Sequence, residues 1–390
     1  MRSLSGSDAQ VRSANFHEHI DAGRRIQSAM HILHIVESFA AGCLTALSTL
    51  CHAVRPGFRH SVAYALREET PPDFASQFPP DVEFHAVPMG VGVLPGLRAC
   101  RELSALIHGI RPDVVHCHSS KAGVYGRIAA LHRHVPSVYT PHGFAFLRTD
   151  VAPVTRAAFR GVEWLVARAG QAIAACGAEE YVLSRQLAGR GRTVVFVRNA
   201  VDLCVLDALV ASAPVSGAGE RVLAGTCGRA VPQRAPELFG DIARRLRGEV
   251  DWTWIGATEA AAACLPPHVT RTGWLDRAAA LSRVAELDIY VQTSRWEGLS
   301  YSILEAMALG KPVVATRIPS NEVVIEDGVT GFLGNDAAEL AEHVRRLSRD
   351  AGLRSRMGAA ARACIADHYD AGRSYEAYAE LYRRLARTKG

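Results

Sequence analysis

Two carboxylates eight positions apart, Glu297 and Glu305, bracket the segment E-G-L-S-Y-S-I-L-E. Its first residues break a strand-like run and its last read as a helix. A helix N-terminus offers free amides and the positive end of a dipole, so an anion would lie over the Leu299 and Ser300 amides. Glu297 would stand just before that helix and Glu305 about one turn inside it, each able to accept hydrogen bonds from hydroxyl groups. A bland reading fits as well. Ser302-x-x-Glu305 is also a capping-box pattern, and Glu297 is the kind of carboxylate that a helix dipole favours.

The elements that would position the pair follow from the neighbouring sequence. Leu287-Asp288-Ile289-Tyr290-Val291-Gln292-Thr293 is short, apolar and β-branched, as a buried parallel strand is. Ser294 to Gly298 interrupt it, a helix is expected from Ser300 to Leu309, Gly310 supplies a stop, and Pro312 opens the next strand through Thr316. Loops at the carboxyl ends of parallel strands are where open α/β sheets bind ligands. Similar runs recur along the whole chain: Ile32–Val36, Ser61–Ala65, Val82–Val87, Val114–Cys117, Ser137–Thr140, Ala172–Ala175 and Val194–Val197, then Arg221–Cys227, Trp252–Gly256, Val269–Thr272, Val313–Thr316 and Gly331–Leu333. Helical segments alternate with them, which predicts an α/β fold with two doubly wound, Rossmann-like domains facing a cleft.

Other residues of chemical promise sit at matching places. Arg229 and Arg234 occupy a loop between a strand and the expected helix Pro236–Leu246, and guanidinium groups suit bidentate phosphate binding. His142 follows a strand and precedes Gly143, which lets backbone approach a ligand closely. Gly42 lies in the loop after the first strand. Ser119, Ser120 and Lys121 lie at another strand's carboxyl end, suited to line the cleft or to bind a phosphate of an acceptor. His116-Cys117-His118 invites a metal reading, but i and i+2 share one strand face while Cys117 takes the other, and no second ligand cluster is evident in the sequence. No metal site is therefore expected.

Taken together, four segments resemble the retaining GT-B glycosyltransferases of the family 4 group, whose signature is E-x7-E. Besides Glu297 to Glu305 they are G-T-C-G-R-A-V-P-Q-R-A-P-E-L-F (Gly225 to Phe239), Val114 to Gly123 with Thr140-Pro141-His142-Gly143-Phe144, and Asp327-Gly328-Val329-Thr330-Gly331-Phe332. The resemblance spans roughly residues 30 to 385 and implies transfer of a hexose, with retention, from a UDP- or GDP-sugar to a hydroxyl acceptor. It implies that Glu305 accepts bonds from the ribose hydroxyls, that Glu297 binds hexose hydroxyls near the reacting carbon, and that His142 contacts the donor sugar or phosphate from the opposite domain. Arg229, Arg234, Gly298, Leu299, Ser300 and Gly42 would complete the donor site. Arg234 stands where the family usually has lysine, and Ala41-Gly42 keeps one of two usual glycines. The particular forms H-x-H-S-S-K-A-G and T-P-H-G-F-A-F look like bacterial enzymes of exopolysaccharide or lipopolysaccharide assembly, which implies a lipid-linked or other saccharide acceptor.

The absence of any D-x-D in the chain fits a metal-independent site, with arginines and a helix N-terminus stabilising the departing diphosphate and no further cofactor. A sugar-nucleotide 2-epimerase and a non-catalytic homologue that binds sugar nucleotide are the alternatives. A dinucleotide oxidoreductase is disfavoured, because no G-x-G-x-x-G follows Ile32 to Val36 or Cys227.

Length and composition are consistent with this reading. A chain of 390 residues with 48% hydrophobic and 21% charged content suits a globular protein of two domains. Expected boundaries are 1–29 as a disordered extension, even a misplaced start, 30–205 as the first domain, 206–219 as the connection, 220–368 as the second domain, and 369–390 as a helix packing back on the first. Residues 1–200 carry 21 Lys/Arg against 15 Asp/Glu (+6) and residues 201–390 carry 23 against 24 (−1), so an anionic partner would meet the first half. A membrane surface or a phosphate-bearing acceptor fits, and no nucleic acid is expected. Arg156, Arg160 and Arg168 accompany Phe159, Trp164 and Leu165 on an expected helix Val154–Ala169, which suits either a membrane surface or an ordinary solvated face. Nine cysteines without a C-x-x-C pair, and no apolar run of transmembrane length, lead to the expectation of a cytoplasmic protein, peripheral at most on the inner membrane.

Overall fold

The computed structural model describes residues 29–148, 151–189, 191–211, 221–257 and 264–387. The extension expected at the amino terminus lies outside them, apart from residue 29. The first sheet contains β1 (Met30–Val36), β2 (Phe58–Tyr64), β3 (Glu83–Ala86), β4 (Val114–His118), β5 (Ser137–Thr140), β6 (Ala172–Ala175) and β7 (Thr193–Phe196). Their spatial order is β3-β2-β1-β4-β5-β6-β7. The second contains β8 (Leu223–Cys227), β9 (Asp251–Ile255), β10 (Val269–Arg271), β11 (Ile289–Gln292), β12 (Val313–Thr316) and β13 (Gly331–Gly334), in the order β10-β9-β8-β11-β12-β13. Every described strand pair is parallel. The expected pair of doubly wound, Rossmann-like α/β domains is what the chain forms.

Helices cover both faces of each sheet, so central strands such as β4, β11 and β12 are buried from end to end and read as short apolar runs. In each sheet the strand order reverses once, between β1 and β4 in the first and between β8 and β11 in the second. Loops diverge at such switch points and leave a crevice at the carboxyl ends. The loops after β1, β4, β8 and β11 carry most of the residues singled out above.

Two segments differ from expectation. Residues 206–211, expected in the connection, complete a helix Leu203–Ala211, because Leu203, Leu206, Leu209 and Val210 form an apolar stripe that packs into the second-domain core beside Leu281 and Val284. The remaining 212–219 lie outside the described residues. The helix expected from Tyr369 to Leu385 is broken at Tyr375: Asp370 caps a short turn, Ala371–Ser374, and a second helix runs Glu376–Arg387. That last helix buries Tyr378, Leu381, Tyr382 and Leu385 against Ile32, Val114 and Val138 of the first sheet. Leu381 and Leu385 each contribute about 1.5–3 kcal/mol by leaving water. Tyr375 Oη lies 2.7 Å from Tyr301 Oη, which ties the tail to the helix carrying Glu305. Among the described residues no helix is long and apolar enough to cross a membrane.

Candidate functional site

On the second-domain side, the site starts from the loop after β8. Gly228 has φ 132°, and a Cβ there would come within 3.2 Å of the Arg234 guanidinium, so glycine lets that side chain fold back under the loop. Arg234 Nη1 donates to Cys227 O (3.1 Å), Gln292 Oε1 (3.1 Å) and Ser302 Oγ (2.9 Å), and its Nε lies 3.4 Å from Glu297 Oε1. Ser294 Oγ donates to Glu297 Oε1 (2.9 Å) and Gln233 Nε2 to Glu297 Oε2 (3.0 Å). Glu297 is thus held in one orientation at the mouth of the helix Tyr301–Ala308, whose first amides have no partner within the helix. Glu305, one turn in, pairs with Arg277, whose Nη1 also donates to Thr45 Oγ1 of the first domain at 2.9 Å.

These contacts bear on two readings. Ser300, not Ser302, is the N-cap, and no side chain caps the helix. Glu305 is therefore no capping-box partner; its carboxylate is turned to Arg277. Arg234, expected at a phosphate, turns its Nη1 and Nε to the protein beneath Glu297 and also lines the cavity between the domains. Burial works against its charge, but Glu297, Tyr290 and Cys227 together outweigh it and leave the guanidinium more firmly protonated. Arg229 is the more accessible of the two, 3.4 Å from Glu69 across the cleft.

On the first-domain side, His142 (φ 52°) and Gly143 (φ 94°) place two successive residues in the left-handed region, one residue after the end of β5. Glu180 holds this turn: its Oε1 accepts from Gly143 N and its Oε2 from Cys176 N, both at 2.7 Å. Burial raises the Glu180 pKa while the two amides oppose that shift. Ser119 (φ 70°) turns the chain after β4. Such conformations cost on the order of 1–3 kcal/mol each for residues other than glycine and concentrate at binding sites. The domains meet where a Cβ on Gly177 would lie 3.0 Å from Gly298 O, and Asn199 Nδ2 donates to Leu299 O at 2.8 Å. The Glu297 loop is in this way held from both domains.

Between the two walls lies a cavity of about 490 Å³. Gly42, Ser119, Ser120, His142, Arg229, Arg234, Glu297, Gly298, Leu299, Ser300 and Glu305 all line it. Lys121 is not among the lining residues; its Nζ is 2.7 Å from Glu37 Oε1, a carboxylate that Arg67 also contacts. Sequence reasoning missed Arg277, Thr45, Glu180, Asn199 and Gln292, which act through side chains distant in sequence. Gln233 was within the matched segment.

No second ligand cluster for His116 and His118 was evident in the sequence, but β1 lies beside β4 and brings His34 to them, with ligand atoms within 4.8 Å of one another. The rings already have hydrogen-bond partners: His116 Nδ1 lies 2.7 Å from Tyr382 Oη and its Nε2 2.9 Å from Thr140 Oγ1, while His34 faces His60 and, within the trio, His118.

Comparison with known proteins identifies both domains. Residues 28–200 match the glycosyl transferase 4-like domain and residues 206–350 match glycosyl transferases group 1. The UDP-Gal:alpha-D-GlcNAc-diphosphoundecaprenol alpha-1,3-galactosyltransferase of Escherichia coli is 25% identical over 270 residues, 62% of this chain and 67% of that protein. Sucrose-phosphate synthase from Thermosynechococcus elongatus superposes with a TM-score of 0.76 at 16% identity, covering 91% of this chain and 99% of the other. HepE of Anabaena, in complex with UDP and glucose, superposes at 0.74 with 21% identity, covering 91% and 100%. The chain belongs to the GT-B glycosyltransferases, with a 4-like domain followed by a group 1 domain.

Proposed function

We propose that this protein transfers a hexose, with retention, from a UDP-sugar to a hydroxyl of a lipid-linked saccharide at the inner face of a membrane. One observation carries the donor side of this reading. Glu297, fixed by Ser294, Gln233 and Arg234, stands at the mouth of a helix N-terminus with Glu305 one turn inside it, and His142 lines the same cavity from the other domain. The diphosphate lies over the Leu299 and Ser300 amides with Arg229 nearby, the ribose hydroxyls donate to Glu305, and hexose hydroxyls donate to Glu297. The bond from the anomeric carbon to the β-phosphate oxygen breaks, the acceptor oxygen bonds the same carbon from the same face, and the leaving phosphate takes the acceptor proton. Developing charge on the diphosphate is met by fixed amides and guanidinium.

HepE complexes with UDP and with UDP-glucose, and the UDP-Gal donor of the Escherichia coli relative, support uridine over guanosine. That relative's diphosphoundecaprenol acceptor supports a lipid-linked substrate. Three neighbouring helices of the first domain, Val93–Ile110, Ser120–His132 and Pro153–Val166, support a membrane-facing surface. Together with the turn before the first, they carry ten of the sixteen exposed large apolar side chains described, including Val93, Leu94, Val154 and Trp164, among exposed Arg101, Arg156 and Arg160. This mixture suits anionic lipid. The test is to incubate the protein with UDP-glucose or UDP-galactose and a polyprenyl-diphosphate saccharide and read the anomeric coupling of the product by NMR. An inverted product, or hydrolysis or epimerisation without transfer, would overturn the reading.

A further inference from the structure

Four buried or cavity-lining histidines, one from each of four adjacent strands or the turn after it, form an unbroken line from β2 to the cavity. The strand order β2-β1-β4-β5 supplies His60, His34, His118 and His142 in turn. His60 Nε2 lies 3.2 Å from Val54 O, His60 Nδ1 3.0 Å from His34 Nε2, His34 Nδ1 3.1 Å from His118 Nε2, and His118 Nδ1 3.1 Å from His142 Nε2.

The direction of every bond follows from its far end. A carbonyl oxygen only accepts, so His60 must carry its proton on Nε2 and donate to Val54 O. Burial pushes His60 and His142 down to about 4 and holds His34 and His118 well below the usual imidazole range, so the rings are neutral near pH 7. A neutral ring with a proton on Nε2 accepts at Nδ1. His34 therefore donates to His60, His118 to His34, and His142 to His118. Each ring takes the same tautomer as the one before it. Among the described residues nothing hydrogen-bonds His142 Nδ1, and this ring lines the cavity.

We infer that the His60–His34–His118 line locks His142 with its proton on Nε2, so that Nδ1 meets the substrate as a fixed hydrogen-bond acceptor that takes a hydroxyl and rejects an anionic oxygen. His60, His34 and His118 are positioning residues; His142 is the group that touches substrate. The inference rests on the proposed sugar transfer only for which hydroxyl is bound, that of the donor hexose or that of the incoming acceptor. Of the two contacts expected of His142, with the donor sugar or with phosphate, this polarity favours the sugar hydroxyl.

Long-range ¹H–¹⁵N NMR of the full chain, selectively labelled at histidine, reads the tautomer without turnover, with the His142 signals identified by their loss in His142→Ala. The expected spectrum has His142 protonated at Nε2 alone. His60→Phe removes the acceptor at the far end and should turn His142 into a mixture of tautomers. His60→Gln keeps a donor for Val54 O and an acceptor for His34, and should restore the single tautomer. In steady-state assays His60→Phe should leave UDP affinity within about twofold and lower kcat/KM on the order of fivefold, the loss of one neutral hydrogen bond. Comparing KM for donor and for acceptor identifies whose hydroxyl it is. His142 protonated at Nδ1, or mixed, in the unaltered protein would overturn the inference, even if His60→Phe fails to fold. An unchanged His142 spectrum in folded His60→Phe would do the same. If the spectra behave as expected but no sugar is transferred, the lock stands and the proposed reaction fails.

Discussion

Replacing Glu305 by Gln keeps the side-chain volume and removes one charge, which separates donor recognition from folding. In the free protein Glu305 bonds Arg277, whose guanidinium remains about a quarter exposed and keeps its bond to Thr45 Oγ1. Water recovers much of what Arg277 loses, so the free protein should lose no more than about 1 kcal/mol of stability. Binding is affected more strongly. A hydrogen bond to a charged group contributes about 1.5–3 kcal/mol against about 0.5–1.5 for a neutral one, so ribose hydroxyls that donate to a carboxylate lose much of that contribution. The dissociation constant for UDP should rise by a factor of about 10, and by no more than about 150. Titration calorimetry with UDP and with the UDP-sugar measures it. Both ligands contain the ribose, so both should weaken by the same factor, while the melting temperature of the unliganded protein barely moves. Undiminished UDP affinity, or weakening confined to the UDP-sugar, would refute the ribose assignment.

The other predictions probe separate parts of the site. Glu297→Gln should leave UDP affinity within about twofold and lower kcat by at least about 100-fold, as removal of a single transition-state contact does elsewhere, read by rapid-quench turnover. Trp164→Glu with Leu165→Glu, both exposed on the helix Pro153–Val166, should abolish sedimentation with anionic vesicles while transfer to a water-soluble acceptor persists. Stability should fall on acidification. His60 is buried with a pKa of about 4, against about 6.5 when unfolded. The unfolded chain therefore takes up a proton that the folded one refuses. The contribution is complete above pH ~6.5 and is lost as pH falls towards 4, at up to about 1.4 kcal/mol per pH unit for this ring. Denaturant titrations at pH 7, 6 and 5 should show it, with a shallower slope in His60→Phe.

How much of this was legible in the sequence differs between the two walls of the cleft. The second-domain wall is local: Glu297, Gly298, Leu299, Ser300 and Glu305 fall within nine consecutive positions, and strand, loop and helix follow directly from apolar runs and glycine and proline stops. Arg234 shows the limit even there. Its type and place announced a positive charge, but only the fold-back beneath Gly228 shows that this charge also supports Glu297. Arg277 gave no signal, since a residue opening a helix after its cap, Asp276, is unremarkable until Thr45 and Glu305 are seen beside it.

The first-domain wall is non-local, for a physical reason. In a parallel sheet, neighbouring strands are separated by whole crossover helices, so a side chain's partner across the sheet lies tens of residues away. His34 meets His60 across 26 positions and His118 across 84, and no spacing rule connects them. The sequence did carry one general sign. Five histidines, at 31, 34, 60, 116 and 118, fall in or beside the strand-like runs of the first half and are buried, and a buried polar ring is costly unless both nitrogens find partners. One isolated buried histidine is ordinary. Several on adjacent parallel strands must satisfy one another, and a chain of neutral rings anchored on a carbonyl has only one direction in which to do so. The polarity of His142 in the cleft is thus determined by Val54, the C-cap of the helix Ala41–Ala53, through rings carried by β2, β1 and β4.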